Sequence, residues 1–414
     1  MAELQKNMRI AIVGGGIGGL TLANLLQMDG WHEVKVFERW EEMKNRGGHI
    51  SIMPASLGGA FPVLQALGLE EEVAAFAGSV PHFKSLVNGQ VVTDTELSLG
   101  PRVMREALQQ VLFNNLKENT VLFGKSLSDF EEFGDHVELR FDDGSVEDFE
   151  LVVAADGINS SIAGKLFPGS GKQFSGFVSY MCLAKGAYLE KGFYDHHVHG
   201  GSQGFCIRAV PGWGFDGRWD MAGFTVRSSN LASSAWDSEC TKEEIRPLLE
   251  SMEEHAGGCP DWLRKLVDDS ERVMKWGIYE HAAKPSWISP KSRMVLLGDA
   301  AHAMAPYLGK GAQAAMIDAQ VLAQQLLEKP LSDALAAYES QRKPACEAIA
   351  KHAHFEGLSI TSFGLAAAYR STTKGLVAPA HNAMQRHSER CAEALIEAWQ
   401  LGHHASERLS TLLS

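Results

Sequence analysis

The sequence is short of the features that mark several large functional classes. It has no block of lysine and arginine, and its formal net charge is −13. The clustered basic footprint of a nucleic-acid binder is therefore missing. No run of about 20 uninterrupted apolar residues occurs, so a membrane-spanning helix is not expected. The six cysteines (Cys182, Cys206, Cys240, Cys259, Cys346 and Cys391) form no CxxC pair, which leaves zinc-ribbon and redox motifs without support. Reduced, packed thiols fit a cytoplasmic protein. The polar stretch Met1–Asn7 does not read as a secretory signal.

What the chain does have is glycine, at 41 of 414 residues, and apolar residues, at 45%. That is enough for a substantial core in two or three domains. "MRIAIVGGGIGGLTLANLLQMDGWHEVKVFER" reads as strand, glycine loop, helix and strand. Ile10, Ile12 and Val13 make a doubly covered parallel strand, and Leu20, Leu22, Leu25 and Leu26 make a helix stripe. Gly14-x-Gly16-x-x-Gly19 joins the two, and Glu38 ends the second strand. This is the spacing of a dinucleotide site, with pyrophosphate at the helix start and an acid for ribose hydroxyls.

Further along, Pro101 to Leu116 has helical spacing, and "DDGS" (Asp142–Ser145) marks a hairpin turn. "ELVVAADG" (Glu150–Gly157) is a second buried strand ending in a carboxylate. Between about Lys172 and Tyr279 alternating and aromatic residues predict an antiparallel sheet, interrupted by helices near Lys242–Glu254 and Asp261–Val267. Arg293–Leu297 returns to the buried-strand pattern, and most of the chain beyond Gly309 reads as helix. "LLGDAAHAMAPYLGKGAQAAMIDA" (Leu296–Ala319) then sets Asp299 at a strand end, with Pro306, Gly309 and Gly311 opening a helix. A second carboxylate of this kind suits another hydroxyl chain, such as the ribityl of a flavin, and a helix N-terminus suits an anionic ring edge.

Three blocks together, "VGGGIGGL" with Glu38, "AADGINSSI" (Ala154–Ile162) and the Leu296–Ala319 stretch, resemble the class A flavoprotein monooxygenases, the aromatic-hydroxylase superfamily. "RGGHISI" (Arg46–Ile52) looks most like its tetracycline-inactivating and tailoring branch. The resemblance implies an α/β fold: a Rossmann-like FAD-binding domain (1–72, 98–171 and 285–350), an inserted antiparallel-sheet substrate domain (73–97 and 172–284) and C-terminal helices (351–414). It implies FAD held by Gly14, Gly16, Gly19, Glu38, Arg39, Gly48, Ser51, Arg105, Asp156, Asp299, Pro306, Gly309, Gly311 and Ala312. NADPH or NADH would reduce the flavin, O2 would add at its C4a position, and an electron-rich aromatic, heteroaromatic or polyketide-like molecule would be hydroxylated. The superfamily places an arginine shortly after its "DG" block, where this chain has Ala163.

Candidate bases for the substrate are His49, His281 and Tyr279, and Arg208 is a candidate partner for an acidic substrate group. The histidines of "DHHVHG" (Asp195–Gly200) fit no ligand spacing, so no metal is expected. A helix from about Ala380 to Leu413 is expected to pack on the core or on a second copy, leaving monomer and homodimer open. A flavin-dependent reductase or halogenase and a non-catalytic flavin-binding protein are the alternative functions. The halogenase pattern WxWxIP is absent.

Overall fold

Ile10–Val13 forms β1, buried along its whole length, and pairs in parallel with β2 (Val34–Phe37) on one side and β12 (Leu151–Ala154) on the other. These strands are almost wholly apolar because both faces of the sheet are covered. β8 (Val121–Leu122) and β19 (Met294–Leu296) complete a five-stranded sheet of order β19-β12-β1-β2-β8. The computed structural model describes residues 6–43, 47–96, 99–189, 192–199, 204–228 and 238–361.

Two helices meet on this sheet. A side chain at Gly18 of helix Ile17–Met28 would come within 2.7 Å of Leu297 Cδ2 and 3.1 Å of Ala315 Cβ. The small residue therefore lets this helix approach Gly311–Glu328 closely and sets their N-termini near each other. β9 (Leu127–Glu132), β10 (Val137–Phe141) and β11 (Val146–Phe149) form an antiparallel meander, with the expected turn between the last two.

The second large element is an eight-stranded sheet. Its order is β17 (Ser238–Glu239), β18 (Arg272–His281), β13 (Lys172–Lys185), β16 (Gly217–Arg227), β15 (Phe205–Gly214), β14 (Phe193–Val198), β5 (His82–Val87) and β6 (Gln90–Glu96). All its pairings are antiparallel except β14 with β5. Alternation divides the sheet into two faces. Cys182, Ala184, Ile207, Ala209, Ala222 and Phe224 pack with Leu249, Met252, Leu263 and Leu266 of helices Arg246–His255 and Asp261–Asp269. The opposite face carries Ser179, Met181, Arg208, Val210, Met221 and Gly223, by the register of β13, β15 and β16.

A fourth sheet, of three strands, lies between the two large ones: β3 (His49–Ser51), β7 (Pro101–Met104) and β4 (Gly78–Ser79). Val103 enters the main core, while His49 rests on Gly212 and Met104 on Gly214 of β15. The helical spacing from Pro101 is realised only from Arg105, as helix Arg105–Asn114. The four residues before it are drawn into strand pairing with β3 and β4. A long helix, Leu331–Thr361, follows the site. The helix expected at about Ala380–Leu413 lies outside the described residues.

Candidate functional site

The glycine loop follows from sterics. Gly14 has φ +115, and a side chain there would lie 2.3 Å from Ala155 O; one at Gly19 would lie 2.1 Å from Gly14 O. Both positions admit only glycine. At Gly16 a side chain would meet nothing within 4 Å, so the loop opens to space there. Gly16 also caps helix Ile17–Met28 without a side-chain hydrogen bond, leaving first-turn amides free for an anion. Glu38 braces the loop: Oε2 accepts the Gly15 N–H at 2.9 Å and Oε1 the Trp40 N–H at 3.1 Å. Arg39 is exposed and covers the Trp40 ring at 4.9 Å.

Helix Arg105–Asn114 is tied to the same loop. Gln109 donates to Gly15 O at 2.7 Å and accepts from Arg105 Nη1 at 3.3 Å. Burial lowers the Arg105 pKa, and Asp299, Glu106 and Glu38 oppose that shift. Arg105 thus feels two of the strand-end carboxylates, far apart in sequence. The backbone N–H of Arg105 donates to Gly48 O at 3.0 Å. Gly48 itself lies where a side chain would meet Met221 Sδ at 2.7 Å, so it is pressed against the large sheet.

Asp299 begins a single turn, Asp299–His302, after Gly298 at φ +63. Its own surface is exposed while protein encloses it, the condition of a group lining a cleft. Burial raises its pKa, and His302 and Arg105 partly offset this. Its Oδ1 lies 3.8 Å from where a Gly311 side chain would sit, at the start of helix Gly311–Glu328. It accepts no hydrogen bond among the described residues. Pro306 opens a short turn that ends at Gly309, φ +62, and the helix carrying Gly311 and Ala312 has no side-chain cap. Lys310 donates to the carbonyls of Leu57 and Gly58, and Gln313 donates to Ser51 O and accepts from Ala60 N–H at 2.7 Å. These bonds fasten the segment Ser51–Ala60 beside the helix start.

A buried cluster behind Asp299 escaped the sequence reading. Asp318 accepts from His302 Nε2 at 2.6 Å, from Arg342 Nε at 2.7 Å and from Gly298 N–H at 3.2 Å. Burial alone would depress the His302 pKa; Cys346 and Asp318 outweigh it and hold His302 well above its ordinary value. The signal was a carboxylate on the buried stripe of Ala315, Met316, Ala319 and Leu322.

The other expected residues are dispersed. Asp156 Oδ2 accepts the Ser161 N–H at 3.0 Å, so part of its capacity holds the start of helix Ser161–Leu166. Ala163 is 3% exposed and packed in the main core, with its N–H on Ser160 Oγ. His281 donates from Nε2 to Ile158 O at 2.9 Å and accepts from Lys284 at 2.8 Å, using both nitrogens. Tyr279 packs with Phe174 beneath Lys172. The ring nitrogens of His49 are buried without a hydrogen-bond partner. Its pKa lies well below the usual value, through burial first and then the charges of Arg102 and Arg272, partly opposed by the Val210 backbone beside the ring.

Arg208 is already engaged. It donates to Asp195 at 3.1 Å, to Tyr307 O at 2.7 Å and to Glu356 at 3.5 Å. Asp195, His197 and Cys206, the first two from the histidine-rich stretch, bring their side-chain ligand atoms within 4.8 Å of one another. Arg208 shares Asp195 with them, so that carboxylate is already neutralised.

The space edged by the glycine loop, Glu38, Arg105, Asp299 and the Gly311 helix suits a dinucleotide. It offers helix amides for pyrophosphate and carboxylates for hydroxyls. Among the described residues no helix is long and apolar enough to cross a membrane. Residues 7–353 match the family described as FAD binding domain. The chain is 26% identical to 6-hydroxynicotinate 3-monooxygenase of Pseudomonas fluorescens, over 85% of this chain and 91% of that protein. It is 30% identical to a 3-amino-4-hydroxybenzoate 2-monooxygenase of Streptomyces platensis, over 86% and 90%. Its fold matches a salicylate hydroxylase substrate complex with a TM-score of 0.71 at 21% identity, covering 92% of this chain and 98% of that one. It matches Klebsiella pneumoniae HpxO complexed with FAD and uric acid equally well, with a TM-score of 0.71 at 22% identity, over 94% and 96%. The chain thus belongs to the FAD binding domain family, and it is an FAD-dependent monooxygenase of the class A flavoprotein aromatic hydroxylases.

Proposed function

We propose that this enzyme uses NADPH or NADH and O2 to hydroxylate a small aromatic or heteroaromatic acid bearing a ring hydroxyl. The related enzymes that act on hydroxynicotinate, aminohydroxybenzoate and, by its name, salicylate motivate that substrate class. The observation that carries the reading is Asp299: a carboxylate in an enclosed cleft, without a hydrogen bond among the described residues, at an uncapped helix start. In this reading the amides after Gly16 hold the pyrophosphate, with Gly14 and Gly19 allowing the turn. Glu38 takes ribose hydroxyls with Arg39 beside it, and Asp299 takes the ribityl. Arg105 balances the two carboxylates; Pro306, Gly309, Gly311, Ala312, Gly48 and Ser51 border the ring.

FAD bound there supplies the electron transfer from nicotinamide and the activation of O2. The chain's own work is to seat the substrate between the ring site and the sheet face of Ser179, Met181, Met221 and Gly223. It must also exclude water and accept a phenolic proton. We assign the proton to His49. It follows Gly48 directly, and the nitrogens of His281 are both in use.

The test is direct. Purified protein should release FAD on denaturation, and a panel of hydroxylated aromatic acids should include one that stimulates NAD(P)H oxidation with a product heavier by one oxygen. A protein that cannot be loaded with FAD, or stimulation without oxygen incorporation across the panel, would overturn the reading.

A further inference from the structure

Arg102 has no account in the cofactor site. It is 7% exposed, on β7. Nη1 donates to Ser51 Oγ at 2.6 Å, while Nε is buried with no hydrogen-bond partner. No carboxylate pairs with it among the described residues, and burial lowers its pKa to about 9 with nothing opposing. Other enclosed arginines differ: Arg208, Arg218 and Arg342 each bond a buried aspartate. An enclosed guanidinium without an anion is costly, and a fold retains one most readily where a ligand supplies the missing charge.

Its position says which ligand. Ser51 pairs with Arg102, and His49 with Met104, across β3 and β7. Alternation therefore puts His49, Ser51, Arg102 and Met104 on one face, the face turned toward β15, where His49 meets Gly212 and Met104 meets Gly214. The charge of Arg102 reaches His49 strongly enough to depress its pKa. Two adjoining side chains on this wall, an imidazole beside the Val210 backbone and an uncompensated guanidinium, thus retain hydrogen-bonding capacity. Arg272 is also near His49, but it is bonded to Glu106 at 3.1 Å.

We propose that Arg102 receives the carboxylate of the aromatic substrate, with His49 beside it to take the ring hydroxyl. This rests on the hydroxylase reading above and adds to it the group that recognises the acid. The negative edge of a flavin ring is the other anion within this chemistry. The start of helix Gly311–Glu328 already serves that edge, so Arg102 goes to the substrate.

The experiment compares acids with their uncharged amides on the FAD-loaded enzyme. Salicylate and salicylamide, 4-hydroxybenzoate and its amide, and 6-hydroxynicotinate and its amide are titrated while flavin absorbance is followed. At least one acid should bind on the order of 10- to 100-fold more tightly than its amide. Arg102→Met should abolish that preference, and Arg102→Lys should restore part of it. FAD content and thermal midpoint of Arg102→Met should hold or rise, since an unpaired enclosed charge is removed.

An acid preference that survives in Arg102→Met overturns the proposal, as does failure of every acid to perturb the flavin up to its solubility limit. A shifted flavin reduction potential with unchanged acid preference assigns the guanidinium to the cofactor instead. Loss of FAD with a lowered midpoint makes Arg102 structural. Wild-type protein that binds no FAD overturns the hydroxylase reading itself.

Discussion

Asp299 on the cofactor side and the aspartates on the sheet side of this molecule are treated in opposite ways. Asp299 stands without a hydrogen bond among the described residues, before two helices that lack side-chain caps. On the sheet side, Asp195 bonds His197, Cys206 and Arg208, and Asp220 accepts from Tyr188 N–H, Leu189 N–H and Arg218. A carboxylate kept for a foreign polar molecule is left unspent, as Asp299 is, while those that keep the fold's shape are spent internally, on the sheet and at the glycine loop alike, where Glu38 accepts from Gly15 and Trp40. Behind Asp299 the internal pattern resumes with Asp318. The open layer is one residue deep.

Four measurements bear on that contrast. The largest effect is expected from Asp318→Ala, which strands His302 and Arg342 as enclosed cations. Unfolding of the FAD-loaded enzyme in urea should show a loss of about 3–5 kcal/mol. A loss under about 1 kcal/mol, the range of an exposed pair, would mean that the layer behind Asp299 is not closed.

Ala163→Arg comes next. Overpacking the core at this position should cost at least about 1–3 kcal/mol without tightening nicotinamide binding. A lower Michaelis constant for NAD(P)H at unchanged stability would reinstate a groove past residue 163.

Asp299→Ala should weaken FAD roughly 10- to 100-fold, the value of a buried polar partner, and leave the apo-protein nearly as stable. Asp156→Ala should weaken it less, because that carboxylate already caps a helix. Equal dissociation constants for the two variants would erase the distinction between spent and unspent groups.

The smallest effect concerns pH. Burial, then the charge of Lys284, lowers the His281 pKa to about 4. An unfolded chain protonates its histidines near 6.5, so between about 6.5 and about 4 the unfolded state binds the extra proton. The contribution of His281 is therefore complete above about pH 6.5 and is lost as pH falls toward about 4. Solvent reaches His281, so the slope should be modest. His281→Gln should flatten it in denaturation curves taken across that window, and an unchanged slope would assign the proton elsewhere.

Much of the cofactor side was legible because sterics and periodicity act locally there. Gly14 and Gly19 are dictated by contacts within a few residues or with one neighbouring strand, and the buried runs Ile10–Val13 and Leu151–Ala154 announce a doubly covered sheet. The position of Asp299 was legible because a buried apolar strand runs straight into it and a glycine-opened helix follows. The sheet side yielded its strands through alternation, but not its chemistry. Whether Arg208 or Arg102 is the free cation depends on Asp195 and Glu356, residues that only the three-dimensional arrangement brings near. The burial of Ala163 in the main core was equally illegible, since a motif position says nothing about which way a short helix turns. The strand Pro101–Met104 was read as helix because its pairing partners, His49–Ser51 and Gly78–Ser79, lie far back in the chain.

The place of β19 at the edge of the five-stranded sheet, beside β12, has a consequence in time. Glu38 is made early, but Asp299 and the helix that starts at Gly311 come some 270 residues later (311 − 38 = 273). At roughly 5–20 residues per second, a ribosome needs about 15–55 s to cover that interval. Through all of it the nascent chain owns half a grip. Both halves of the site are present only once synthesis has passed Gly311 and β19 has joined the sheet.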